Sequence, residues 1–285
     1  MCIKKQKTLQ ILKFVIQFLE QYHLNYFVAC GTMLGAVRHK GFIPWDDDID
    51  IYMFRKDYNK LIALEKEIYD RGYKIMNIGN TDNYYLKFSK IVDKNTTLWE
   101  RREIPCIIGT FVDVFPLDFC NAGLFRRHRE WYDFDDLMNI YRLSIEDHTL
   151  TDYVKQLVNG HFIQCAKWVK YRLKNSKHIR ENIIAMENKL EASDGLYLVN
   201  YTEDVQCLYP KEWFSDYILM PFEDIQVRVP VGYKEYLTYT YGDYMELPPV
   251  EERVSLHLHY YYNTEKGLPL EKVKKLIKDS KYRLN

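Results

Sequence analysis

The chain of 285 residues carries 40 Lys+Arg against 40 Asp+Glu, so its formal charge is zero. That length suits about two domains, or one large one with a sizeable core, and a composition 47% hydrophobic and 28% charged excludes a disordered chain. A neutral total also excludes a strongly cationic nucleic-acid binder, which would show an excess of base. Tyrosine is over-used, at 25 against 14 Phe and 5 Trp; its apolar ring and polar tip suit half-buried surfaces as well as core.

The N-terminus begins basic and turns apolar, but Lys13, Gln17 and Glu20 interrupt the run and no small-residue cleavage site follows. Leu9, Leu12, Ile16 and Leu19 recur at helical spacing, which predicts an amphipathic helix to about Tyr22 rather than a signal peptide. A short strand is predicted over 26–30, then a glycine-punctuated helix and loop over 31–45 whose helix begins near Thr32, then a strand over 48–54 and a helix over 57–71. Two more strands are predicted over 84–92 and 107–115, and a richly charged helical region over 124–190. YILMPFEDIQVRV (217–229) reads as a hairpin turning at Glu223-Asp224, GYKEYLTYTYG (232–242) as a short helix, and the residues after Thr264 as a basic helical tail with a solvated face. The cysteines (Cys2, Cys30, Cys106, Cys120, Cys165, Cys207) show neither CxxC nor finger spacing, which predicts reduced thiols and a cytosolic protein. No stretch approaches the ~18 apolar residues of a membrane span.

The informative stretch is CGTMLGAVRHKGFIPWDDDIDIYM (30–53), where Asp46, Asp47, Asp48 and Asp50 crowd together. On a strand, side chains alternate, so Asp48 and Asp50 share one face about 7 Å apart while Ile49 and Ile51 take the other. Two such carboxylates repel unless a cation is supplied, and carboxylate oxygens suit Mg²⁺ or Mn²⁺ bridging to phosphates. A bare DxD is weak, but Gly31-Thr32 before it offers a glycine turn and a helix start. Exposed amides there bind anions, and the Thr32 hydroxyl either caps the helix or touches a phosphate. Arg38 adds positive charge. Neither a P-loop nor a dinucleotide GxGxxG is present. Asp113, flanked by Val112 and Val114 in an aromatic strand, is costly unless paired or metal-bound and is the candidate third acid. Asp118, after Pro116, reads as a turn residue.

GTMLGAVRHKGFIPWDDDIDI followed by FVDVFPLD, with PVGYKEYLTYTYGDYMELPPVEER (230–253) downstream, resembles the LicD family of bacterial phosphocholine transferases related to fukutin. The resemblance implies an α+β fold with a nucleotidyltransferase core, a small mixed sheet flanked by helices. Residues 1–120 would form that core with the metal site, 121–200 a helical insertion presenting an acceptor- or membrane-facing surface, and 201–285 a hairpin-helix block completing one compact unit. It further implies catalytic and metal-binding roles for Asp48, Asp50 and Asp113 with Mg²⁺ or Mn²⁺, and substrate contacts from Gly31, Thr32 and Arg38. The implied donor is CDP-choline, with CMP leaving, and the implied acceptor is a sugar hydroxyl of a lipid-linked teichoic-acid or related glycan precursor. Transfer of another phosphoalcohol such as phosphoribitol, and addition of NMP by a nucleotidyltransferase, stand as alternatives.

Choline is a quaternary ammonium and is recognised by aromatic faces and diffuse negative charge. Trp45 adjoins the acids, and Tyr233, Tyr236, Tyr239, Tyr241 and Tyr244 crowd one stretch; a cage from Trp45 and Tyr241 is the expectation, against plain core packing. Finally, HFIQCAKWVKYRLKNSKHIR (161–180) reads as one helix with Phe162, Ala166, Val169 and Leu173 on a face beside Lys167, Lys170 and Lys174. Such a helix can lie at the anionic inner face of the cytoplasmic membrane, as well as pack on a core.

Overall fold

A computed structural model describes residues 2–121, 124–189, 195–202, 207–255 and 259–279. The elements run α1 (Ile3–Gln21), β1 (Phe27–Val28), α2 (Cys30–His39), β2 (Asp50–Phe54), α3 (Arg55–Ala63), α4 (Glu65–Asp70), β3 (Tyr73–Met76), β4 (Ser89–Asp93), β5 (Thr97–Trp99) and β6 (Phe111–Cys120). Then come α5 (Leu124–Ile145), α6 (Leu150–Val158), α7 (Phe162–Arg172), α8 (Ser176–Glu187), β7 (Tyr197–Val199), β8 (Leu208–Pro210), β9 (Tyr217–Phe222), β10 (Ile225–Pro230), α9 (Tyr233–Tyr241), β11 (Tyr261–Asn263) and α10 (Leu270–Asp279).

The expected mixed sheet flanked by helices is present. Its order is β1-β2-β6-β4-β3, with β7 added along the far end of β6 and β8 beyond it. Among these described strands only the β2–β6 pairing is parallel; β1–β2, β3–β4, β4–β6, β6–β7 and β7–β8 are antiparallel. On one side α1 buries Leu9, Ile11, Leu12, Val15, Phe18 and Leu19, the stripe that its period predicts. The β9–β10 hairpin and α9 share that core through Phe222, Val227, Val229 and Tyr236. On the other side α5 and α8 bury Phe134, Met138, Tyr141, Ile179 and Ile183. Much of the tyrosine excess goes inside: Tyr26, Tyr52, Tyr84, Tyr141, Tyr209 and Tyr236 are among the largest fully buried side chains. Several find partners for their hydroxyls, as in Tyr52 Oη to Tyr236 Oη at 3.0 Å and Tyr84 Oη donating to Phe88 O at 2.9 Å.

Several expectations are corrected. The strand over 84–92 begins only at Ser89, because residues 84–88 form an irregular segment after the turn at Asn77–Asn80. The strand over 107–115 instead runs Phe111–Cys120, straight through Pro116. Proline is tolerated there because β4 has already ended at Ser89, opposite Val114, leaving no partner on that side. Asp118 is therefore no turn residue. It is 2% exposed and accepts both Arg55 Nε at 2.8 Å and Arg55 Nη2 at 2.7 Å, a buried bidentate pair. The helix over 57–71 is two helices meeting at Leu64, and residues 161–180 are two helices separated at 173–175, where Asn175 caps α8 by accepting from His178 N. The short strands β3, β5, β7, β8 and β11 carry too few alternating residues to be read from sequence. The hairpin turning at Glu223-Asp224 and the helix α9 lie where they are predicted. All the cysteines are free thiols.

Candidate active site

The strand β2 starts at Asp50, not Asp48, and Asp50 stands in register with Asp113 on the parallel β6. Asp113 in turn stands opposite Lys90 on β4. Lateral neighbours in a sheet share a face, so Asp50, Asp113 and Lys90 form a row across adjacent strands. Asp48, although outside the strand, turns to the same place: one carboxylate oxygen each from Asp48, Asp50 and Asp113 lie within 4.8 Å of one another. Alternation along a single strand, the basis on which the sequence pairs Asp48 with Asp50, is not what joins them. The sheet does it by lateral register, with Asp48 joining from the preceding loop.

The helix α2 positions the loop and is stitched to β2. Ala29 N donates to Asp50 O at 2.9 Å, and Asp50 N donates to Thr32 Oγ1 at 2.9 Å. The Thr32 hydroxyl, in a residue 4% exposed, does not cap its own helix; it accepts from the first residue of the acidic strand. Gly31 lets the Asp46 carboxylate lie close against the backbone, since a Cβ there would come within 2.5 Å of Asp46 Oδ2 and push that side chain aside. Beside it Cys30 has φ +43°, a costly conformation for a residue with a side chain, so the helix starts under strain next to the acids. Asp47 faces away and pairs with Lys4 Nζ at 2.7 Å, while Lys5 Nζ donates to the carbonyls of Ile43 and Pro44. The basic start of α1 clamps the acidic loop.

Sequence reasoning misses Lys90. It is 2% exposed, with Nζ 2.8 Å from Asp113 Oδ1, 3.7 Å from Glu100 Oε1 and 3.2 Å from the Phe111 ring centroid. Burial alone would lower its pKa, but the Asp113 and Glu100 carboxylates outweigh burial and hold it above its ordinary value, so it stays an ammonium. Burial pushes Asp113 up to about 7, against the pull of Lys90. Burial, then Asp48, Asp113 and Asp46, push Asp50 well above the usual carboxylate range. One ammonium thus faces several converging carboxylates, and the remaining negative charge fits a bound cation. The all-oxygen donor set suits a hard divalent ion such as Mg²⁺ or Mn²⁺. Lys90 engages Oδ1 of Asp113 and leaves Oδ2 without that ammonium.

The acids open into a cavity of about 690 Å³. Its lining draws Gly31, Arg38, Trp45, Asp46, Asp48 and Asp50 from the stretch running from α2 into β2, and Tyr241, Tyr244 and the carboxylates Asp243, Glu246 and Glu252 from the end of α9 and the segment after it. Arg38 reaches the wall but commits Nη1 to the carbonyls of Tyr244 at 2.8 Å and Glu246 at 3.0 Å, so it also ties the segment after α9 over the cavity. Trp45 lies under the Arg253 guanidinium, 5.6 Å from its ring centroid. Of the crowded tyrosines, Tyr236 is core and Tyr239 packs edge-on to Trp213, whereas Tyr241 and Tyr244 reach the cavity.

Residues 23–127 match the family described as "LicD/FKTN/FKRP, nucleotidyltransferase domain". The chain is 30% identical over 269 residues to lipopolysaccharide cholinephosphotransferase LicD of Haemophilus influenzae, covering 89% of this chain and 94% of that protein. It is also similar to the human ribitol 5-phosphate transferase FKRP, 26% identical over 92 residues, 30% of this chain and 19% of FKRP. An uncharacterised protein of Rickettsia typhi is 36% identical over 76 residues, 26% of this chain and 25% of that protein. With an acidic cluster where β2 and β6 pair and a match along nearly its whole length, this chain belongs to the LicD family.

Proposed function

We propose that this protein is an enzyme that transfers phosphocholine from CDP-choline to a sugar hydroxyl of a lipid-linked cell-surface glycan, a teichoic-acid precursor or a lipopolysaccharide, releasing CMP. Phosphoalcohol transfer to a glycan rests on the relatives, a lipopolysaccharide cholinephosphotransferase and a ribitol 5-phosphate transferase. The observation that carries the chemistry is the convergence of Asp48, Asp50 and Asp113 within 4.8 Å beside the cavity. We assign the core a nucleotidyltransferase fold, a reading supported by the domain name in the family description.

A divalent cation held by Asp48, Asp50 and Asp113 would supply charge neutralisation on the pyrophosphate. The amides at the start of α2, near Gly31, and the Arg38 guanidinium favour the donor's phosphate oxygens. In the transfer the acceptor oxygen bonds to the phosphorus next to choline while the bond from that phosphorus to the CMP oxygen breaks. The hydroxyl proton would pass to a carboxylate of the cluster, for which we assign Asp113. Choline is favoured over ribitol by the cavity lining, which includes Trp45, Tyr241 and Tyr244 together with Asp243, Glu246 and Glu252. Aromatic faces backed by carboxylates suit a quaternary ammonium; a polyol would need converging hydrogen-bond donors as well as acceptors.

The test uses CDP-choline labelled either in choline or in cytidine, with Mg²⁺ and a glycan acceptor. Choline label on the glycan and cytidine label in free CMP are expected. Cytidine label on the glycan would replace this reading with nucleotidyl transfer, and transfer from CDP-ribitol but not CDP-choline would replace the headgroup.

A further inference from the structure

The α6–α7 hairpin carries an outer face that none of the described residues covers. No residue of α6 is buried. At 100° per residue, Leu150, Val154, Leu157 and Val158 fall on one side of α6, and they are 84%, 57%, 43% and 80% exposed. On α7 and just past its end, Phe162, Val169 and Leu173 form a matching stripe at 63%, 51% and 82%, and Ile163 near the tip is 75% exposed. The hairpin is nevertheless held by its inner face. Thr149 and Asp152 form a capping box at the start of α6, and Arg102 pairs with Asp152 at 2.7 Å. Trp168 stacks on His148 with ring centroids 3.6 Å apart, and Arg172 Nη1 donates to Glu146 O. The outward apolar face is therefore a property of a docked hairpin.

Charge identifies what covers it. Lys155, Lys167, Lys170 and Lys174 are exposed and edge the apolar stripes, and Lys177 follows at the start of α8. Between Leu150 and Asn175 the sole carboxylate is Asp152, which is turned inward to Arg102. An apolar stripe flanked by lysines and without acids is complementary to an anionic bilayer, where apolar side chains enter the headgroup boundary and each lysine adds attraction. We propose that the α6–α7 hairpin docks this protein onto anionic phospholipid membranes, with Val158, Phe162 and Ile163 around Gly160 as the inserting tip. Docking would bring the chain to lipid-linked acceptors, but vesicle binding is measured without any donor or acceptor and stands apart from the transferase reading.

The experiment sediments the full chain with phosphatidylcholine vesicles, with and without phosphatidylglycerol, at low and high salt. Binding that needs phosphatidylglycerol and falls with salt is expected. Two variants are compared, V158S/F162S/I163S and K167E/K170E, each checked for an unchanged circular dichroism spectrum and, at exposed positions, expected to fold. Each should weaken vesicle binding by about tenfold or more, with unchanged turnover of a soluble acceptor. Absence of binding, or wild-type binding by both variants, overturns the proposal. A wild-type dimer that the apolar variant turns into a monomer, with no vesicle binding, assigns the face to a second copy instead.

Discussion

Lys90 on β4 and Asp113 on β6 stand opposite one another in register, with Nζ 2.8 Å from Oδ1 inside the sheet. This pair puts a permanent ammonium beside the cluster. Removing it with Lys90→Met leaves buried carboxylates without their internal counter-ion, and the metal-free protein should lose about 3–5 kcal/mol. Mg²⁺ or Mn²⁺ should then raise the melting temperature of the variant more than that of the wild type, because the ion replaces a lost charge. Equal shifts would leave Lys90 only a packing role.

The same carboxylates set a pH dependence. Asp113 is raised from 3.8 to about 7, and Asp50 is raised as well, both by burial first. Between these values the folded chain holds protons that the unfolded chain has released, so these groups make stability fall as pH rises from 3.8 towards about 7. Thermal unfolding in chelator should show wild type losing stability over that window relative to Asp113→Asn. A divalent ion needs the deprotonated forms, so the stabilisation from added Mg²⁺ should grow with pH. Parallel profiles for wild type and variant would contradict the assignment.

Arg55 and Asp118 form a second buried pair among the described residues, across α3 and β6. Asp118→Ala strands a buried guanidinium and should cost about 3–5 kcal/mol in urea unfolding. The surviving folded molecules should retain metal-dependent thermal stabilisation, because Asp118 lies outside the Asp48, Asp50 and Asp113 group.

Headgroup choice is tested at Trp45 and Tyr241. Each alanine variant removes one aromatic face, which at about 0.5–2 kcal/mol is about 2- to 30-fold in kcat/KM for CDP-choline. CDP-ribitol, if turned over, should be far less affected. An equal loss for both donors would make these rings general cavity walls.

The acidic cluster is legible in the amino-acid sequence: a DxD gives Asp48 and Asp50, and an acid stranded between two valines gives Asp113. The reasoning that finds Asp113 does not reach Lys90, which stands between Ser89 and Ile91 in SKIVD rather than between two apolar residues. A strand that starts at Tyr84 rather than Ser89 hides it, because nothing local marks residue 90 as interior. Asp118 is misread from sequence, and the bond of Thr32 to β2 goes unseen there, because their partners, Arg55 and the Asp50 amide, are 63 and 18 residues away and only tertiary register brings them together. The carboxylates Asp243, Glu246 and Glu252 carry no signal: they lie outside the regular helices and strands of the core, and Arg38 folds that segment over the cavity. Helices are legible where an apolar stripe is buried, as in α1. The boundary between α7 and α8 is not, because it rests on one local cap at Asn175.

The most direct measurement of the central claim is CMP release from CDP-choline with a glycan acceptor and Mg²⁺, compared between the wild type and Asp50→Asn. Asp50 is the acid that links β2 to Asp113 and to Thr32. Metal-dependent CMP release by the wild type, abolished in a variant of unchanged circular dichroism spectrum, is the expected result. Full CMP release by Asp50→Asn, or release by the wild type that chelator leaves unchanged, would contradict a metal-assisted transferase built on this cluster.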